Sequence, residues 1–402
     1  MSVVNNNNTY TGKVALPYIG PLVTEATALK KGLVRLVDAV NGKCVIRKAG
    51  ISLTMADLAQ NFTDGASATT DEVVIEPKRV QVQGLIPLPQ FFETWSADAM
   101  RPGLPGSGDS ELVDMWLSLT KRYIHSSLES LNFNGKGTPV QGMTFSFTGT
   151  YPGYVAQAVS NAPAGQNLLA GTTLALTGIA NSGAVVTVGS TTGLMSGDWV
   201  TIDATTNGNQ QYGGASIDDQ TFPIKVLSST TFALLDPVTR AAINLTGSTA
   251  ATSGAVRYIN QTNVQNAIVT ALSTLPTRVS ALRSELVVYV PDHIMLAYKK
   301  SVGEAKSLKA GYSVTRTDEG YDRLVDDVYG YRIEEIPNMA ANTILVAQPY
   351  NLIWATALEA DYNSISVINR YQVDHVKAIS FDASFSFGGN IGFADEVAVV
   401  RA

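Results

Sequence analysis

The residues best suited to chemistry in this sequence are scattered rather than clustered. The three histidines, His125, His293 and His375, lie far apart and share no spacing typical of metal ligands. We interpret each as an ordinary surface or core residue. The single cysteine, Cys44, falls within a β-rich run, where it is interpreted as a packing residue. One cysteine excludes an internal disulfide framework and fits a reducing compartment.

Three acidic residues could offer oxygen ligands to calcium. Asp203, Asp218 and Asp219 flank the stretch "TTNGNQQYGGASIDDQ", which is rich in Gly and Asn. The dense Asp-x-Asp-x-Asp-Gly spacing of a calcium loop is missing, so the pattern favours a solvated β-loop. The acidic stretch "YDRLVDDVYG" at 321–330 is interpreted as a solvated helix face.

Motifs for phosphate binding and nucleophilic catalysis are also incomplete. The stretch "NGKGT" from Asn134 lacks the earlier glycine of a P-loop and follows a helical pattern rather than a strand. The stretch "GYSVT" from Gly311 lacks the closing glycine of a nucleophile elbow. The sequence therefore predicts no catalytic residues, no cofactor, no metal site and no enzymatic activity.

Composition limits the class of protein. The chain has 402 residues, of which 45% are hydrophobic and 15% are charged, so it can build two or three domains with sizeable cores. No apolar run reaches the roughly 18 residues of a membrane helix. The first residues, "MSVVNNNNTYTGK", lack the order of a signal peptide. The net charge of −6 argues against a general DNA-binding protein.

Charge is unevenly distributed along the chain. Residues 1–56 contain seven basic residues against two acidic ones, a net of +5, so the remainder carries −11. A basic segment on an acidic body can bind nucleic acid or lie across an acidic neighbour. The segment shows no interleaving of aromatic and basic residues and no Arg cluster, which favours the neighbour.

The first ninety residues predict an arm followed by a ribbon. Residues 1–32 lack periodicity and are expected to be a loose arm. Residues 33–48 predict a hairpin that turns at Asn41-Gly42. With the extended run "EVVIEPKRVQVQGLIPLP", residues 33–90 form a largely two-stranded excursion. Two strands bury little surface by themselves, so this ribbon needs a partner surface.

A long helix is expected at residues 109–133. Leu112, Trp116, Leu119 and Tyr123 repeat on one face at helical spacing. Trp116 is expected to be buried at the centre of that face.

The middle of the chain predicts an all-β block. No charged residue occurs between Lys136 and Asp198. Short β-rich runs recur at 184–188, 199–203, 222–227 and 231–235, which predicts a small barrel or sandwich at about 168–258. A disordered linker is the alternative, but such linkers seldom contain so much Val, Ile and Leu. The expected core comprises Val186, Val188, Trp199, Val200, Phe222, Phe232 and Leu234, with Trp199 and Phe232 pointing inward. Because mixed structure lies on both sides, the block is predicted to be an insertion.

The order of these parts resembles the major capsid protein of tailed bacteriophages, which has the Hong Kong 97-type fold. The similarity is carried by the arm, the ribbon with "VVIEPKRVQVQGLI", the long helix, and the strand-then-helix "LVVYVPDHIMLAYKK". It continues through "DDVYGYRIEEIPNM" and the closing strands "SFSFGGNIGFADEVAVV". The ribbon, helix and last third are most similar to capsid proteins of podovirus-like and crAss-like phages.

The resemblance implies an α+β fold with an extended β-hairpin loop, a spine helix and an all-β insertion. The implied parts are an N-terminal arm (1–32), an extended loop (33–90), a peripheral domain (91–167) with the spine helix (109–133), an inserted barrel or sandwich (168–258), an axial domain (259–345) and returning peripheral strands (346–402).

The resemblance also implies a structural function. The chain would assemble with itself, as hexamers and pentamers, into the icosahedral head shell of a phage that encloses double-stranded DNA. Scaffolding, portal and decoration proteins would be further partners, DNA would be contacted only non-specifically, and no membrane would be involved. The protein would be located in the virion after assembly in the host cytoplasm.

Two other classes of protein fit parts of the sequence. Tail and tail-sheath subunits also use arms and inserted β-modules, although a spine helix after a long ribbon favours the shell. A bacterial surface or carbohydrate-binding protein would use the β-block as its binding module, but the missing signal-peptide pattern opposes it.

Five cations of the ribbon are the candidate contact residues. Lys43, Arg47 and Lys48 lie on one arm of it, and Lys78 and Arg79 lie on the other. We expect them to contact an acidic surface of an adjacent subunit.

Overall fold

The computed structural model describes residues 26–38, 40, 42–53, 66–87, 110–135, 151–206, 210–247, 251–306, 313–316, 322–325, 330–357, 366–369 and 378–402. Residues 1–25 of the expected arm (1–32) lie outside these ranges, and so does His375.

The helices of the described residues are α1 (Thr27–Lys30), α2 (Ser110–Asn134), α3 (Tyr154–Asn161), α4 (Val264–Ser273), α5 (Thr277–Ser280) and α6 (Asp292–Lys306).

The strands up to the end of the middle block are β1 (Arg35–Val37), β2 (Cys44–Leu53), β3 (Ala66–Ile75), β4 (Lys78–Pro87), β5 (Asn167–Leu169), β6 (Thr172–Ile179), β7 (Val185–Val188), β8 (Trp199–Thr206), β9 (Gln211–Tyr212), β10 (Ala215–Ser216), β11 (Thr221–Val226), β12 (Thr231–Leu234) and β13 (Ser253–Tyr258). The later strands are β14 (Val287–Val290), β15 (Ser313–Arg316), β16 (Asp322–Val325), β17 (Arg332–Glu335), β18 (Thr343–Ala347), β19 (Leu352–Ala355), β20 (Ser366–Asn369), β21 (Ala378–Ile391) and β22 (Ala398–Arg401).

A seven-stranded sheet with the order β15-β16-β17-β14-β18-β22-β5 divides two hydrophobic cores. Successive side chains of a strand point to opposite faces. Tyr289 of β14 therefore packs in the core with α2 and α3, whereas its neighbour Val288 packs in the core with α4 and α6. Since both faces are covered, all four residues of β14 and all five of β18 are buried.

A second sheet is organised by the 14-residue strand β21. The end of β21 pairs with β19, and its earlier residues pair with β4 on one side and β20 on the other. Strand β1 adds to the far edge through parallel pairing with β19. Trp354 of β19, Phe385 and Phe387 of β21 and the last turns of α2 share one core.

The predicted spine helix is present as α2, one residue later at each end than expected. Ile124, Leu128 and Leu131 carry its buried face. The helix ends where Gly135 adopts a left-handed φ of 82° and donates its N–H to the carbonyl of Leu131. Trp116 belongs to α2, but its side chain lies outside the described part of the chain. None of the described helices is long and apolar enough to cross a membrane.

The middle block contains a closed six-stranded barrel with the order β11-β12-β7-β6-β13-β8. The α+β class with an all-β barrel is thus confirmed, and each of the four predicted β-rich runs supplies one strand. The first and last strands, β6 and β13, are direct neighbours, and Thr172 pairs with Tyr258. The chain therefore enters and leaves the barrel at adjacent positions, as an insertion requires.

One of the two inward-pointing aromatic residues was predicted wrongly. Phe232 is fully buried in the barrel core together with Val200 and Phe222. Trp199 is only partly buried and faces outward, because Val200 and Ile202 of the same strand point inward and side chains alternate.

The hairpin predicted at residues 33–48 does not form. β1 pairs with β19, more than 300 residues later, and β2 pairs with β3. Gly42 of the predicted turn therefore lies between strands of two different sheets, and Asn41 lies outside the described residues. Residues 322–325, interpreted as part of a helix face, form strand β16 instead. Residues 26–32, expected to be loose, include the buried Ala26 and Ala28.

A close backbone approach fixes α3 against the end of α2, and it supplies a test. A Cβ atom added to Gly153 would lie 2.3 Å from the backbone nitrogen of Gly135 and 2.5 Å from the carbonyl oxygen of Phe133. We predict that Gly153→Ala lowers the free energy of unfolding by about 1–3 kcal/mol, because backbone atoms cannot yield as a flexible side chain can. Chemical denaturation measures this, with Gly165→Ala as the control, since nothing lies within 4 Å of its added Cβ. Equal stability of the two variants would contradict the prediction.

The barrel provides a second test. In a fragment of residues 166–260, Phe232→Ala should cost about 3–5 kcal/mol of folding free energy because it opens a cavity in the core. Trp199→Ala should cost about 1 kcal/mol, because that side chain faces outward. Thermal melts of the two variants measure the difference. A cost for Trp199→Ala as large as that for Phe232→Ala would show that the fragment packs differently.

Candidate functional site

The candidate site is the hairpin formed by β2 and β3. Each strand has ten residues, and Cys44 pairs with Ile75 at one end and Leu53 with Ala66 at the other. In the described part of the chain this pair makes a sheet of its own. At about 3.4 Å per residue it extends roughly 34 Å.

One face at the base of the hairpin is anchored to the body. Directly opposed residues of an antiparallel pair share a face, which places Cys44 and Ile75 beside Ile46 and Val73. These side chains pack with Ile353 and Ala355 of β19. Cys44 is thus a packing residue, as interpreted from the sequence.

The opposite face of the hairpin is exposed and partly apolar. Val45 and Val74 stand opposite each other, and 48% and 42% of their respective surfaces are exposed. The register continues this face with Arg47 opposite Glu72 and then with Ala49 opposite Thr70. Two exposed valines on a two-stranded ribbon form a small apolar surface that a partner could bury.

The predicted contact cations of the first arm stand beside acidic residues of the same hairpin. Lys43 forms an exposed ion pair with Glu76. Arg47 is exposed and stands opposite Glu72, and Lys48 stands opposite Asp71, although the side chain of Lys48 lies outside the described part. The hairpin therefore balances much of its own charge, which the one-dimensional count of basic residues did not reveal.

The cations of the second arm lie on β4, which belongs to the sheet of β21 rather than to the hairpin. Lys78 pairs in register with Phe387, and its Nζ lies 6.0 Å from the ring centroid of Tyr151. Arg79 pairs with Ser386, is exposed, and forms no ion pair with a carboxylate among the described residues. The structure thus does not bring all five cations onto one element.

A polar contact that the sequence did not predict joins the barrel to the rest of the chain through Asn342. Asn342 is 1% exposed and adopts a left-handed φ of 53°. Its Nδ2 donates to the carbonyl of Trp199 at 3.1 Å and lies 3.3 Å from the hydroxyl of Thr201. Its backbone N–H donates to Nε2 of His293 at 3.1 Å.

Aromatic and cationic groups complete this junction. The rings of Trp199 and His293 lie 5.3 Å apart, and the guanidinium of Arg240 lies 4.6 Å from the Trp199 ring. The hydrogen bond from His293 lowers the pKa of Asp292. Trp199 faces outward and contacts His293 of α6 and Asn342 in the turn before β18. It therefore attaches the barrel to these two elements.

The loop that carries Arg240 is held by a hydrogen bond from Tyr212 of β9. The hydroxyl of Tyr212 donates to Oδ2 of Asp236, and the backbone N–H groups of Val238 and Thr239 donate to its Oδ1. The hydrogen bond with Tyr212 lowers the pKa of Asp236 to about 2 and raises the pKa of Tyr212 to about 12. Both groups keep this hydrogen bond throughout the neutral range.

The remaining candidates for chemistry are dispersed in the structure. Asp203 forms an ion pair with Arg257, and Asp219 occupies a turn with a φ of 60°. His125 lies on α2 and His293 at the barrel junction. Among the described residues, no group of three or more His, Cys, Asp or Glu could hold a metal ion.

Comparison with known proteins gives structural but not sequence matches. No model of a known protein family matches the sequence, and neither does any curated protein. The chain is similar to the capsid of a native GTA particle over 98% of its own length and 95% of that chain, with a TM-score of 0.45 and 11% identity. It is also similar to the capsid of the cyanophage P-SCSP1u over 98% of its own length and 96% of that chain, with a TM-score of 0.46 and 11% identity. The similarity to the procapsid of satellite phage P4, which includes the size determination protein, covers 96% of this chain and 92% of that chain, with a TM-score of 0.42 and 11% identity.

Proposed function

We propose that this chain is the repeating subunit of the head shell of a tailed phage. The observation that carries the proposal is the β2–β3 hairpin, which extends well beyond its anchored base and leaves Val45 and Val74 exposed. An isolated pair of strands is marginal by itself, so a ribbon of this length is expected to be stabilised by a surface outside its own chain. A second copy of the chain is the simplest source of such a surface.

Weak repeated contacts are well suited to shell assembly. An exposed ion pair contributes about 0–1 kcal/mol, so single contacts dissociate readily while many of them together hold the shell. Arg47 on the hairpin and Arg79 on β4 are exposed cations, and residues 57–402 carry a net negative charge. We keep Lys43, Arg47, Lys48, Lys78 and Arg79 as proposed inter-subunit contacts, with Arg47 and Arg79 as the most available.

The proposed partners follow from this function. Copies of the chain would form hexamers and pentamers, and scaffolding, portal and decoration proteins would bind to the assembled shell. The protein would act without enzymatic activity and would be located in the virion, where it would meet packaged DNA only non-specifically.

The similar solved structures described above are capsids, so electron microscopy is the direct test. Closed shells or capsomers support the proposal, whereas tubes would indicate a tail or sheath subunit, and monomers would contradict assembly.

The exposed valines give a specific test of the hairpin. The double substitution Val45→Thr and Val74→Thr preserves shape and β-branching but places two hydroxyls where a partner would bury methyl groups. Each hydroxyl buried without a partner costs about 1–3 kcal/mol. We predict an unchanged melting curve and a loss or marked slowing of assembly, measured by sedimentation. Val238→Thr, at a barrel residue that is 53% exposed, is the control and should assemble normally. Normal assembly of the double variant would exclude the hairpin face as the contact.

Arg79 tests the electrostatic part of the proposal. Arg79→Glu should leave the subunit folded, because the side chain is exposed, but it should slow assembly by introducing repulsion against an acidic neighbour. The defect should shrink as salt is raised, because salt screens exposed charges. Light scattering during assembly at two ionic strengths measures this, with Lys225→Glu on the barrel as the matched control. Equal assembly rates for the two variants would argue against an electrostatic contact at Arg79.

A further inference from the structure

Residues 26–34, here called the strap, are docked into the core of the body. Ala26, Ala28, Leu33 and Val34 are all buried. The hydroxyl of Tyr289 on β14 donates to the carbonyl of Leu33 at 2.7 Å, and the N–H of Leu33 donates to the carbonyl of Ala28 at 2.8 Å. The strap therefore packs as one unit against α2 and the seven-stranded sheet.

Two buried carboxylates hold the strap, and they differ in how their charge is balanced. Glu334 on β17 has two cationic partners, Lys31 of the strap at 2.9 Å and Arg332 at 2.7 Å. Glu129 on α2 is 0% exposed. In the described part of the chain, no cation pairs with Glu129.

Neutral donors surround the Glu129 carboxylate. Its Oε1 accepts from the backbone N–H of Ala28 at 2.7 Å and from the hydroxyl of Thr27 at 3.1 Å. Its Oε2 accepts from Nδ2 of Asn338 at 2.7 Å. Two of the three partners belong to the strap, so undocking the strap would remove them and admit water to the carboxylate.

The charged and titratable groups of the surrounding elements have other partners or lie elsewhere. The strap carries Lys31, paired with Glu334, and Lys30, which is exposed. β17 carries Arg332, paired with Glu334, and Glu335, which lies 4.0 Å from Lys299. β14 carries Tyr289, bonded to Leu33.

The helix α2 itself carries Arg122 and His125 one to two turns before Glu129, and the segment 336–340 carries no titratable side chain. None of these groups forms an ion pair with Glu129 in the described structure.

We propose that Glu129 is a proton-linked latch: docking of the strap is accompanied by uptake of a proton at this carboxyl, so the docked state weakens as pH rises. At Glu129, which has no cationic partner in the described structure, desolvation outweighs the hydrogen bonds from neutral donors and favours the protonated carboxyl. Once the strap leaves, water solvates the charge and the proton is released. This inference is independent of the proposed shell function.

The sign of the pH dependence follows from the direction of the shift. Burial raises the pKa of Glu129 above its ordinary value of 4.5, against the hydrogen bonds from Ala28, Asn338 and Thr27, which lower it. A carboxyl whose pKa is raised in the docked state favours docking fully below the ordinary pKa. That advantage is lost as pH rises from 4.5 through the raised pKa.

Hydrogen exchange of the full chain, followed by mass spectrometry, tests the latch. The measured quantity is the protection of the peptide that contains residues 26–34 relative to a core peptide that contains Val288, with both corrected for the pH dependence of intrinsic exchange. We expect this ratio to fall as pH rises above 4.5, by up to about tenfold per pH unit for one linked proton. Above the raised pKa it should become constant.

Two variants identify the group responsible. Glu129→Gln cannot bind the proton, so its ratio should be independent of pH over the same range. Glu396→Gln is the matched control, because burial also raises the pKa of Glu396 but this residue lies beside Arg278, away from the strap. Its ratio should fall with pH as in the unsubstituted chain.

Several results would overturn the latch. A flat ratio in the unsubstituted chain, or one that rises with pH, would do so without any variant. Retention of the pH dependence in Glu129→Gln, or its loss in Glu396→Gln, would assign the proton to another group. A parallel fall in the protection of the strap and core peptides would show that Glu129 affects global unfolding rather than the strap.

Discussion

Strands covered on both faces are the constraint on which the rest of this structure depends. β14, β18 and β22 have no solvent-facing side, so nearly every residue in them must be apolar, and alternate residues serve different cores. Tyr289 packs with α2 and Val288 packs with α4 and α6. Because both cores share this sheet, neither can shift without moving the other, and the helices on its two faces are held in fixed positions relative to each other. The hairpin, the strap and the barrel are all attached to the part of the chain formed by these two cores.

The barrel and the hairpin are attached in different ways. The barrel closes on itself and has its own core, so its attachment needs only adjacent ends and a lateral contact at Asn342, His293 and Trp199. The hairpin has no core of its own beyond its anchored base. The barrel can therefore be stable as a unit within one chain, whereas the hairpin leaves Val45 and Val74 exposed. This difference is why the hairpin, and not the barrel, carries the proposed assembly function.

Local patterns in the sequence predicted the elements whose stability is local. The apolar repeat of α2, the buried run before α6 and four of the six barrel strands were found because period and turn residues specify them. Pairing between distant segments was not predicted. Nothing near Arg35 indicates a partner at Ile353, and alternation shows that Trp199 and Val200 face opposite sides without showing which side is inside. Glu129 was missed for the same reason, because a carboxylate on a helix looks solvated until its distant partners are known. The hairpin cations were predicted to contact acidic residues of an adjacent subunit, because the sequence does not show that carboxylates of the same hairpin lie across the strand pair.

Glu129 and Glu334 show how differently two buried carboxylates can be used in one fold. Glu334 joins Lys31 of the strap to Arg332 of the sheet, and the two cations offset its desolvation. Glu129 accepts hydrogen bonds only from neutral donors, so the cost of removing its carboxylate from water is offset less completely. Its protonation state is therefore coupled to the position of the strap. A cation paired with Glu129 would hold the strap more firmly but would remove that coupling. The arrangement therefore fixes the end of the strap that continues into β1 and leaves the end formed by Thr27 and Ala28 dependent on a proton. Opening of the strap as pH rises therefore begins at Thr27 and Ala28, before it reaches Lys31.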